Sequence, residues 1–369
     1  MEIDKGLKDT FVDSSSICYI DGNNSRLYYR GYDINLLVDK SSFEEIAYLL
    51  LYGKLPLKQE FDNFNKILKS HQNLPKFLKS NISNYPKNAN IMDVLRTGIS
   101  SLGLNNADYN NFEKSINIIG SSTSITALYS RVKNDEEIVE PLEDLSYAGN
   151  FLYMLKNKKP DDFDSKILDI IFILHAEHEM NASAFSCVVT SSTLSDIYSS
   201  VTAGIGTLKG PLHGGANEGA LKTILEVGSP EKAEDYVSNA LKKGERVMGF
   251  GHRVYRNYDP RYIVLKKVAK ELAEKKGQLN LYNTANEIEN ITVKKLSGKG
   301  IFPNVDSYSG LVLHLLDIPI ELFTPIFAIS RNPGWVAHIL EYTANNVLIR
   351  PKTYYDGKLD LSYIPINKR

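Results

Sequence analysis

The chain has 369 residues, enough for two domains of ordinary size or one large one. Apolar residues make up 43% and charged residues 24%, the proportions of a folded globular protein, which exclude a disordered or fibrous chain. Lysine and arginine number 43 against 44 acids, so the net charge of -1 supplies no global attraction to nucleic acid or an anionic membrane.

Cys18 and Cys187 are too few for a disulfide framework and too scattered for a zinc knuckle. The start, Met1–Asp9, carries acids where a secretory signal needs an apolar stretch. Apolar runs such as Ile167–Leu174 stop far short of the roughly 20 residues that span a bilayer. A soluble, cytoplasmic protein is expected.

In chain order, strand-like Ile17–Ile20 and Arg26–Tyr29 flank the turn-rich Asp21-Gly22-Asn23-Asn24, a small hairpin. Ser42 and Glu45 have capping-box spacing, and Ile46, Leu49 and Leu50 follow before Gly53 and Pro56 stop the helix. Helical periodicity then covers about 58–70, 91–103, 112–131, 143–156, 165–180 and 184–200. It resumes over about 217–227, 231–243, 259–276, 283–296, 305–316, 318–330 and 334–348. Tyr354–Leu361, around Asp356-Gly357, reads as a second small terminal hairpin. The fold is therefore expected to be mainly α.

Apart from Asp169, the run Ile167–Leu174 has no polar face, so its helix belongs in a core. It leads into His175, Glu177 and His178, which places ionisable groups against a dry interior where pKa values shift. His178, His213 and His252 each occupy a Gly- or Asn-bearing stretch at a helix boundary. Glycines flank His213, and Asn217 is positioned to cap the next helix, whose positive end favours a neutral imidazole. A plain Gly-rich loop accounts for that pattern equally well.

The second stretch sets Arg253, Arg256 and Arg261 within nine residues of His252, with Pro260 opening a helix. Guanidinium forks suit carboxylates and phosphates, although a solvated basic loop is an equal alternative. Asp306 stands ahead of an apolar helix, as a simple cap or as a carboxylate base in a dry pocket. Arg331 and Arg350 lie in apolar settings, which calls for an acidic partner or an anionic ligand. A metal-dependent hydrolase built on His175, His178 and another histidine is a remote alternative. The His-x-x-His spacing lacks the usual intervening base, and no cysteine or acid cluster completes a shell.

These stretches together resemble citrate synthase in its shorter prokaryotic form. The resemblance runs through Leu27–Ile34, Ser42–Pro56, Met92–Thr97, His175–Ser183, the His213 and His252 loops, Asn304–Asp306, Ser330-Arg331 and Arg350–Lys352. It implies an all-helical homodimer with a large domain, 1–214 and 318–369, and a small mobile one, 215–317. It further implies condensation of acetyl-CoA with oxaloacetate and water to give citrate and CoA, or the 2-methylcitrate synthase variant using propionyl-CoA. No resident cofactor or metal is expected, since the CoA thioester is a substrate. By the same resemblance Asp306 is the base, His213 the donor to the thioester oxygen, and His252 the donor to the oxaloacetate carbonyl. His178, His252, Arg261 and Arg331 hold oxaloacetate, with Arg350 contributed in trans. Met248, Gly249, Phe250, Gly251 and Arg256 meet CoA.

Overall fold

The computed structural model describes residues 3–7, 10–106 and 108–369. A small antiparallel sheet comes first: β1 (Cys18–Asp21) pairs with β2 (Arg26–Tyr29), Cys18 opposite Tyr29, and β2 pairs with β3 (Tyr32–Asp33). Then follow α1 (Ile34–Lys40), α2 (Phe43–Tyr52), α3 (Lys58–Ser70), α4 (Lys76–Ser83), α5 (Ile91–Leu102), α6 (Asn111–Lys133) and α7 (Tyr147–Lys156). Next come α8 (Asp162–His175), α9 (Ala182–Ser191), α10 (Ile197–Leu208), α11 (Ala216–Val227) and α12 (Ala233–Lys242). The last four are α13 (Pro260–Lys275), α14 (Leu279–Leu296), α15 (Asp306–Leu315) and α16 (Phe323–Ala344). The fold is mainly α, as its periodicity predicts.

α8 is buried on all sides from Ile167 to His175, as its apolar run requires. Even Asp169 is buried, and it accepts from the Phe43 N–H at 2.9 Å, thereby capping α2 from another helix. Ser42 accepts from the Glu45 N–H as expected, but the Glu45 carboxylate turns to the Ser41 hydroxyl, so the capping box is half made. α16 packs against α2, α6, α8, α9 and α10, while α11, α13, α14 and α15 pack on one another.

Several elements differ from expectation. The segment read as one helix over 184–200 is two, α9 and α10. The break falls where Leu194 takes φ 63° and the Asp196 side chain caps α10 by accepting from the Ser199 N–H at 3.0 Å. Conversely, α16 runs unbroken through Pro333 and Gly334, whose local chemistry predicts a boundary. Residues around them are buried on all sides, and that packing outweighs the hydrogen bond a helical proline loses. Helices α1 and α4 are short and escape the periodicity reading. No strand forms over Tyr354–Leu361, because the turn signal there has no core to fold against and every residue of 350–369 is exposed.

Candidate active site

His213 lies in the loop between α10 and α11, half-buried. Its Nε2 is 2.9 Å from the Ser183 hydroxyl, which also receives the Trp335 indole N–H at 3.1 Å. The same hydroxyl lies 2.7 Å from Asn181 Oδ1, the cap of α9. Burial, then the field of Arg331, lowers His213 to about 4, leaving a neutral ring at physiological pH. Asn217 is not the cap that the sequence predicts. α11 starts after Gly215, and Asn217 sits inside its first turn instead of capping it.

His252 presents a second neutral ring, lowered to about 4 chiefly by burial. The Val254 and Tyr255 backbone N–H groups donate to its Nδ1 at 3.0 and 3.3 Å. Nδ1 is therefore the unprotonated acceptor, and the ring proton sits on Nε2, where it can be donated. The His178 ring stands 5.2 Å from that of His252, with its Nε2 3.2 Å from the Tyr255 hydroxyl. Burial and Arg261 hold His178 well below the usual histidine range.

Arg261, unlike the expectation for an anion-binding arginine, has an acidic partner. Asp259 caps α13 and accepts from Arg261 Nε at 3.0 Å and Nη2 at 2.7 Å, with both side chains buried. Burial pushes Asp259 up, but the guanidinium more than reverses this and leaves it below the usual range. Asp259 also accepts from the Val305 N–H at 3.3 Å, so one carboxylate ties the Arg261 helix to the residue before Asp306. Arg331 is buried in α16, donates Nε to the His175 carbonyl at 2.6 Å, and lies 4.8 Å over the Phe327 ring.

Asp306 opens α15, its N–H bound to Asn304 Oδ1 at 2.9 Å. Burial raises its carboxyl to about 6, against the pull of Arg261 and Arg331. A carboxylate with that value is ionised at neutral pH yet basic enough to accept a proton. The loop ahead of it is held by residues expected to face CoA. Gly251 N–H donates to the Phe302 carbonyl at 2.8 Å, Asn304 N–H donates to the Gly249 carbonyl at 3.0 Å, and Phe250 bridges Pro303. Gly249 has φ 85°, and a Cβ there would sit 2.7 Å from Ser307 Cα, so only glycine fits against the start of α15. Met248 and Arg256 are exposed beside this segment. The Arg256 N–H donates to the Gly22 carbonyl at 2.9 Å, docking the hairpin turn onto the His252 loop. Arg350 is apart from this cluster's contacts and exposed on the C-terminal segment. Among the described residues no group of three or more His, Cys, Asp or Glu converges to hold a metal.

The family profile described as Citrate synthase, C-terminal domain, matches residues 6–352. The chain belongs to the citrate synthase family. It is 41% identical to a citrate synthase of Synechocystis over 99% of this chain and 94% of that one. It is also 38% identical to a 2-methylcitrate synthase of Shewanella oneidensis over 99% of this chain and 97% of the relative. The solved citrate synthase of Thermoplasma acidophilum, in ternary complex with carboxymethyl coenzyme A and oxaloacetate, superposes with TM-score 0.95 at 33% identity, covering 100% of both chains.

Within this family frame, Ser183, Tyr255 and Asp259 touch His213, His178 and Arg261 directly, and sequence reasoning does not single them out. Asp259 carried a usable signal, since an aspartate directly before a helix-opening proline is a cap whose second oxygen remains free.

Proposed function

We propose that this chain is a citrate synthase that condenses acetyl-CoA with oxaloacetate and water, releasing citrate and CoA without a resident cofactor. The observation that carries the reading is a carboxyl raised to about 6, Asp306, in the same arginine field as two neutral imidazoles, His213 and His252. Asp306 takes a proton from the thioester methyl group. His213 donates to the thioester oxygen, so the developing enolate never carries a full charge; such a donor is worth roughly 3–4 kcal/mol. The enol carbon then attacks the oxaloacetate carbonyl while His252 Nε2–H supplies the proton to its oxygen. Water finally cleaves the C–S bond of citryl-CoA. His178, Arg261 and Arg331 hold oxaloacetate, and Met248–Gly251 with Arg256 border the CoA side.

The partner subunit is proposed to supply Arg350. Support comes from the segment that bears it, where Tyr354, Leu361, Tyr363 and Ile366 are exposed at 63%, 72%, 80% and 78%. Apolar surface of that kind fits burial against a second copy. Residues 215–317 are proposed as the small domain that closes over both substrates and excludes water.

The Shewanella relative favours one alternative, 2-methylcitrate synthase acting on propionyl-CoA, with the same residue roles. One methylene changes discrimination in an apolar pocket by only about 1–3 kcal/mol. The test of the reading is oxaloacetate-dependent thiol release with citrate as product, unaffected by a chelator. Release that requires a divalent metal, or that proceeds without oxaloacetate, contradicts it.

The base must be ionised, so kcat/KM falls as pH drops through about 6, the value of Asp306. His213 and His252, both at about 4, stay neutral across that window and contribute no limb there. An acid limb centred near 4 instead assigns the base elsewhere.

Ser183 has one proton. Two acceptors compete for it, Asn181 Oδ1 at 2.7 Å and His213 Nε2 at 2.9 Å; when Nε2 receives it, the ring proton sits on Nδ1, free for the thioester. Ser183→Ala is then expected to lower kcat about 10- to 100-fold, with the oxaloacetate KM little changed. An unchanged kcat removes Ser183 from the proton arrangement.

A further inference from the structure

Arg331 is 2% exposed, yet among the described residues no carboxylate lies within ion-pairing distance of it. The charged group acting most strongly on it is Glu177, in the turn after α8. Glu177 is fully buried, and its backbone is bracketed by the Tyr29 hydroxyl, which donates to the Glu177 carbonyl at 3.0 Å. Its carboxylate rests over Gly334, where a Cβ would fall 2.1 Å from Oε2. Gly334 is three residues after Arg331 and four before His338, so the three share one stripe of α16. The Glu177 carboxylate thus sits over α16 at Gly334, one helical turn from the positions of Arg331 and His338.

In the structure it has taken His338. Oε1 is 2.9 Å from His338 Nε2, and Oε2 is buried without a partner among the described residues. Burial works against an imidazolium at His338, but the Glu177 carboxylate more than offsets it and raises the ring above its ordinary value. Glu341, the next acid along α16, does not compete, because Arg30 at 3.3 Å and the Ser16 hydroxyl at 2.7 Å hold it.

We infer that His338 is a positioning residue for oxaloacetate binding: it holds the Glu177 carboxylate so that Arg331 stays free for a substrate carboxylate. The inference rests on reading Arg331 as a ligand of oxaloacetate. Arg331 has no acid partner of the kind Asp259 gives Arg261, so its fork is open to a substrate carboxylate, while Glu177 one turn away favours the charged guanidinium without occupying it.

The test is asymmetric. His338→Phe removes the hydrogen-bond partner of Glu177 and leaves its carboxylate free to turn to Arg331, so the oxaloacetate Kd by calorimetry and its KM rise about tenfold or more, while kcat at saturation changes far less. Adding Glu177→Gln removes the competing charge and returns both to within about threefold of the parent chain. His338→Gln, which keeps an N–H on Glu177, stays near the parent. If His338 merely filled space, the double variant would be at least as impaired as the single one, and that result overturns the inference. So does a folded His338→Phe chain with unchanged Kd and KM. Should His338→Phe fail to fold, His338→Asn, whose amide is too short to reach Glu177, carries the same expectations. If the unsubstituted chain does not bind oxaloacetate, the substrate reading fails; if it binds normally and His338→Phe changes nothing, only the inference does.

Discussion

Asp306→Ala cuts turnover by on the order of 10³-fold and leaves oxaloacetate binding intact. A thioester methyl group is a very weak acid. A base near the usual carboxylate value is too weak to help, and one far above neutrality is protonated. Burial brings Asp306 to about 6, between those limits. His213 and His252 cannot replace it, because both are lowered to about 4 and are weaker bases than Asp306. Arg261, Arg331 and His178 are untouched by the substitution, so calorimetric binding of oxaloacetate persists. Turnover within about tenfold of the parent would remove Asp306 as the base.

Mixing Asp306→Ala subunits with Arg350→Ala subunits, each inactive alone, restores activity. If Arg350 acts across the dimer, each mixed dimer has one site with both residues intact and one with neither. Full exchange at equal amounts then gives about a quarter of the parental rate, since half the dimers are mixed and half of their sites work. If Arg350 serves its own subunit, no mixed site is complete and no activity returns. Exchange confirmed by mass without recovery therefore contradicts the trans assignment.

The fold was legible where burial follows from composition alone. Nothing but a core accommodates Ile167–Leu174, and α8 is buried accordingly. It was illegible where tertiary contacts decide. Pro333-Gly334 has the local chemistry of a helix stop, yet Gly334 is there because Glu177 and the Ala176 carbonyl occupy the space a side chain would need. Asp356-Gly357 has the chemistry of a hairpin, yet its flanking residues are exposed and pair with nothing among the described residues. At the site, His178, His213, His252 and Asp306 announced themselves by glycines, asparagines and abrupt polarity at helix ends. Ser183 and Tyr255 did not, and Asp259 showed itself only as a cap before Pro260. Their roles come from where α9, the His252 loop and the start of α13 meet distant segments, and spacing along one chain carries no record of that.

The choice of thioester is decided by kcat/KM for acetyl-CoA and for propionyl-CoA, each with saturating oxaloacetate, read as thiol release with the product acid identified. A clear preference for acetyl-CoA with citrate formed is the predicted result. Preference for propionyl-CoA with 2-methylcitrate formed contradicts the assigned substrate while keeping the residue roles. No release from either thioester contradicts the assigned chemistry itself.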